Sequence, residues 1–106
     1  MAKKVLGQVA PAATTATTLY TVPAGKTTVV STLVVANTAA TSATYRIAIR
    51  IAGATLATLQ YIAYDVTVGA NDSTALTLGI TLAATDIITV YSSSTTLAFS
   101  AFGDES

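Results

Sequence analysis

The chain has 106 residues, a formal net charge of zero and only 9% charged residues. It contains no Cys, His or Trp, which excludes disulfides, thiolate chemistry and histidine-based acid–base or metal chemistry. Its length fits one domain, read as a single β-sandwich unit over residues 1–106 with 1–15 able to serve as an N-terminal arm.

At the N-terminus, "MAKKVLGQVAPAATT" has the outline of a secretory signal, but Gly7 and Gln8 interrupt its apolar stretch. The expectation is a first strand over 3–9 and no export. A second strand, 16–22, runs into "VPAGKTT", where Gly25-Lys26-Thr27 suggests the end of a phosphate-binding loop. That loop needs a glycine where Tyr20 stands, and backbone donors that Pro23 lacks. It must also open a helix, whereas the following residues are β-branched and favour a strand over 27–36. The stretch is therefore read as a type I turn with Pro23 second and Gly25 fourth.

Val29 to Val35 is apolar on both parities, the pattern of a strand covered on both faces. "ANTAATSAT" has a loop composition. Residues 27–45 are uncharged but too polar for a membrane span. In "YRIAIRI", within a strand expected at 44–52, Tyr45, Ile47, Ile49 and Ile51 face the core. Arg46, Ala48 and Arg50 face away. In "YIAYDVTV", within 58–68, Ile62, Tyr64, Val66 and Val68 are assigned inward, and Tyr61, Ala63, Asp65 and Thr67 outward. Leu76, Leu78, Ile80 and Leu82 share one face of a strand over 74–82. Strands at 87–91 and 96–102 follow, with Leu97 and Phe99 opposed to Ala98 and Ser100. Met1, Ala2 and residues 104–106 are expected to fray. About eight short strands with turn signals between them predict an all-β fold. The expected form is an antiparallel β-sandwich, specifically a jelly roll, with a flattened barrel as its near neighbour.

Chemistry is sparse. The acids are Asp65, Asp72, Asp86, Asp104 and Glu105. Asp72 and Asp86 lie in turn-rich stretches, where Asp bonds nearby backbone, and no spacing brings a carboxylate pair together for glycoside hydrolysis. Asn71 and Asp72 alone do not make a calcium loop. The serines of "YSSSTT" have no histidine to activate them, and a pairing with Lys3, Lys4 or Lys26 is the remaining formal route. No catalytic, cofactor or metal residue is assigned. Balanced charges argue against nucleic-acid binding.

What remains is association. A neutral surface does not repel its own copies, and the 21 Thr and 21 Ala suit a threonine-coated sheet that faces other protein. Arg46 and Arg50, about 13 Å apart along one strand, either discourage edge aggregation or meet a partner. Tyr61, on the polar parity, is the expected exposed ring. Lys3, Lys4, Arg46, Arg50 and Tyr61 are the candidate partner contacts.

"LYTVPAGKTTVVSTLVVANTAATSATYRIAI" and "ITVYSSSTTLAFSAFGDE", spanning about residues 19–105, resemble small all-β virion proteins of tailed bacteriophages. In these, a "VPAGKTT" turn leads into a valine-rich strand, an "ANT" loop and an alternating strand. Such domains occur as capsid decoration (cement) proteins and within tail-fibre proteins. The resemblance implies a non-enzymatic role on the virion surface after synthesis in the host cytoplasm. The expected partners are further copies of the chain, as a trimer, and the major capsid protein. The alternative it implies is a tail-fibre or receptor-binding module that recognises a cell-surface glycan. It carries over no catalytic residue and no cofactor.

Overall fold

The computed structural model describes residues 2–106, apart from the side chains of Ala2 and Leu78. Among the described residues the chain forms eight strands: β1 (Ala2–Val9), β2 (Thr17–Thr21), β3 (Thr28–Asn37), β4 (Ala43–Arg50), β5 (Tyr61–Val68), β6 (Ser73–Leu82), β7 (Ile87–Ser92) and β8 (Leu97–Glu105). Short 3-10 turns at Ile51–Gly53 and Thr58–Gln60 carry β4 into β5. One four-stranded sheet has the order β1-β8-β3-β6 and the other β2-β7-β4-β5. All these neighbours are antiparallel.

The antiparallel β-sandwich expected from the two-residue alternation is borne out. The pairings β1·β8, β2·β7, β3·β6 and β4·β5 are nested, as if one long hairpin had been wrapped until successive pairs fell alternately into the two sheets. Between the sheets lies one apolar cluster. Leu33, Val35, Leu97 and Phe99 enter it from the first sheet; Tyr45, Ile47, Val68, Ile88 and Val90 enter from the second, each essentially inaccessible to solvent. The Tyr45 ring meets Phe99 edge-to-face at 6.1 Å, a favoured geometry for the aromatic quadrupole.

Several face assignments change at β-bulges, where an extra residue reverses the alternation. In β3 the register shifts between Val30 and Thr32, so Val30 and then Leu33 and Val35 all point inward. The apolar run on both parities therefore records a bulge, while Val29 and Val34 are half-buried on the other face. In β5, Val66 stands opposite Tyr45, Ala63 opposite Ile47, and Tyr61 opposite Ala48. Two extra residues thus sit on β5. Ile62, Tyr64 and Val66, assigned inward from sequence, are exposed; of that set only Val68 is buried. Ala63, assigned outward, packs against the core.

Two further expectations are corrected. The turn after β2 closes with the Lys26 N–H donating to the Pro23 carbonyl at 3.2 Å, so Pro23 is its first residue. Gly25 is its third, at φ +78°, the position where a type II turn requires glycine. The C-terminus does not fray: β8 continues to Glu105, and Ser106 exchanges two backbone hydrogen bonds with Thr27 at 2.9 Å. Ala2 lies in β1, and Met1 lies outside the described residues.

Candidate interaction surface

β5 is an edge strand of its sheet, with β2 at the other edge, and most of the exposed large apolar side chains among the described residues lie on it or just before it. At the Asp65 bulge the backbone is left-handed (φ +51°), a conformation Asp tolerates better than most residues. This aims the carboxylate at Arg46 of neighbouring β4. Arg46 donates from Nε to Asp65 Oδ1 at 2.7 Å and from Nη2 to Oδ2 at 3.3 Å, a two-pronged pairing suited to guanidinium geometry. The guanidinium also lies between two rings, 4.2 Å from the Tyr64 centroid and 4.3 Å from that of Tyr91, where the ring faces attract a cation. Donating to the Asp65 carboxylate holds Arg46 still more firmly protonated than a free arginine. Tyr61 completes the group, edge-to-face on Tyr64 at 5.0 Å.

Ahead of this cluster, half-buried Arg50 donates to the Ala54 carbonyl at 2.7 Å and the Gly53 carbonyl at 3.1 Å. It braces the excursion between β4 and β5. Asp86 braces the same excursion from the opposite side, accepting from Ala52 N–H and Ala83 N–H at 2.9 Å each. Thus held, the excursion places Ile51 and Leu59 beside Ile49 and Ile62 around a shallow apolar hollow of about 390 Å³.

Asp72 and Glu105 are also engaged in hydrogen bonds. Asp72 accepts from Ser73 N–H at 2.8 Å, in keeping with its turn-rich stretch. Glu105 is buried, with Lys4 Nζ 2.6 Å from its Oε2, and it accepts from the Tyr20 hydroxyl and, at 3.4 Å, from the Thr28 hydroxyl. The hydrogen bonds from Lys4 and Tyr20 hold the Glu105 carboxyl below the usual carboxylate range. Its partner Lys4 is correspondingly raised. Among the described residues no group of three or more acidic side chains could hold a metal ion, and no helix is long and apolar enough to cross a membrane.

The five candidate contact residues therefore separate. Arg46 and Tyr61 meet in the aromatic cluster, and Arg50 supports the neighbouring turn. Lys4 joins the Glu105 network across the sandwich, and Lys3 is exposed on β1. Sequence reasoning missed Tyr64, the more exposed ring, and Ile62, because parity counting cannot see a bulge. It also missed Asn37. That buried amide donates to the carbonyls of Thr41 (2.8 Å), Val68 (3.3 Å) and Gly69 (3.2 Å) and accepts from Ala39 N–H and the Thr96 hydroxyl, both at 3.0 Å. Its signal was the Asn of the "ANT" loop. Comparison with protein-family models, curated proteins and solved structures finds no match to this chain.

Proposed function

We propose that the protein is a non-enzymatic virion structural protein of a tailed bacteriophage, a capsid decoration protein that binds the assembled head and bridges neighbouring major capsid subunits. The observation that carries this reading is the exposed apolar and aromatic edge at β5, set in a surface with few charges. Ile51, Leu59, Ile62, Tyr64 and Val66 are all more than a third exposed, and exposed apolar side chains gathered along one edge suit a protein contact. The resemblance of residues 19–105 to small phage virion proteins supports it, and so does the engagement of Asp65, Asp72, Asp86 and Glu105 in structural bonds. A jelly-roll wrapping of the nested strand pairs is the finer description of the fold that we propose.

Such a protein acts by mass action. Binding the assembled shell but not free subunits stabilises the assembled state, and repetition over many equivalent positions lets each contact be weak. Side chains with few rotamers to freeze lower the entropy lost in each contact. A trimer that sits on the outer surface of the head is the expected form. The test is to add purified protein to undecorated heads and measure co-sedimentation and the temperature of head disruption. Co-sedimentation with a raised disruption temperature is expected; no binding and no protection reject the reading. A tail-fibre module is favoured only by the exposed Tyr64 ring, which could stack on a sugar; a specific hit on a glycan array would replace the first reading with this one.

A further inference from the structure

Among the described residues six large apolar side chains are more than a third exposed, and five of them, Ile51, Leu59, Ile62, Tyr64 and Val66, belong to β5 or the excursion before it. Only Val5, on β1 at the edge of the other sheet, lies elsewhere. We infer that this face is the contact between copies of the chain, closed by side-chain packing rather than by extension of the sheet. It gives the self-associating reading above, on which its biological role rests, a defined surface.

The area approaches what a specific contact needs. Exposures of 71, 88, 47, 55 and 39% for Ile51, Leu59, Ile62, Tyr64 and Val66 amount to roughly 500–600 Å² for side chains of this size. Tyr64 packs on outward-facing Arg46 and Val66 stands opposite inward-facing Tyr45, so this area straddles the β5 edge. In a two-fold pair the same surface of both copies meets, whereas in a trimer it would meet a different patch of its neighbour. Two such edges meeting side by side would bury at most about 1,100 Å², near the threshold for a specific interface.

The charge also suits a second copy. Arg46 is neutralised by Asp65 at 2.7 Å, and Arg50 is engaged by two carbonyls. Neither presents an unpaired charge to an incoming copy, and the zero net charge removes long-range repulsion between copies. Sheet extension is disfavoured because two bulges break the even spacing of edge N–H and C=O groups on β5, and Asp65 stands on that edge. Both are devices that block strand addition.

The test is sedimentation of the purified protein across a concentration series, for the parent, Leu59→Asp, Ile62→Asp and a Thr18→Asp control on the edge strand β2. Leu59 is 88% exposed in a loop, so its substitution does not threaten the fold; far-UV circular dichroism checks this. The expected result is a parent oligomer whose dissociation constant weakens at least tenfold in Leu59→Asp and Ile62→Asp and is unchanged in Thr18→Asp. A parent that stays monomeric, or an oligomer indifferent to Leu59→Asp and Ile62→Asp, overturns the inference. A monomeric parent whose head binding is abolished by Leu59→Asp would place the capsid subunit on this face, overturning the inference while sparing the decoration reading. An oligomer that depends on this face but ignores heads would do the reverse.

Discussion

Phe99→Ala tests whether the two sheets meet where the structure places them. Phe99 is fully inaccessible and contributes its ring to the edge-to-face contact with Tyr45 at 6.1 Å. Truncation removes the transfer free energy of the ring and leaves a cavity that the two sheets can fill only partly. The expected loss is about 3–5 kcal/mol, of which about 0.5–1.5 kcal/mol belongs to the aromatic contact. A domain of this size is stable by about 5–15 kcal/mol in total, so the variant should remain folded but weakened. With a urea slope of about 1–3 kcal/mol per molar, the midpoint should fall by more than about 1 M. Equilibrium urea melts followed by tyrosine fluorescence and far-UV circular dichroism read this directly, at a protein concentration low enough to hold association constant. Phe99→Leu keeps most of the volume and should cost clearly less. A loss below about 1 kcal/mol for Phe99→Ala would mean that Phe99 is not enclosed between the sheets, and the inner-face assignment of β8 would fall with it.

Three other outcomes follow from particular residues. Val68→Asp should cost at least about 4 kcal/mol or unfold the chain, since it buries an unpaired charge, whereas Thr67→Asp on the exposed neighbour should stay within about 0.5 kcal/mol; thermal melts compare them. Gly103→Ala should cost about 1–3 kcal/mol in urea melts, because a methyl there would run into the Val29 carbonyl on the adjacent strand. The lowered Glu105 pKa makes its contribution to stability present above the unfolded value, near pH 4.3, and lost as pH falls through the folded value. Glu105→Gln should therefore flatten the acid limb of the stability profile below about pH 5, while the parent loses stability there; parallel acid limbs would show that Glu105 is not held by Lys4 and Tyr20.

Local chemistry in the sequence determined that the chain is built of strands, how many, and nearly where each begins and ends. Alternation, β-branching and turn residues act over a few residues, so Leu97 with Phe99, Tyr45 with Ile47, and the break at "VPAGKTT" were legible without coordinates. The candidate site was legible only in part: Arg46 and Tyr61 were singled out, but not what they touch. Only the tertiary structure decided the bulges at Ser31 and Asp65, because an extra residue is tolerated according to what the neighbouring strands must match, and those neighbours lie far away in sequence. The same holds for Glu105. Nothing local distinguishes it from a frayed terminal acid until wrapping brings Lys4, Tyr20 and Thr28 around it. The side on which a strand's apolar residues emerge is a long-range property, and at β5 it turns residues suited to a core into an exposed face.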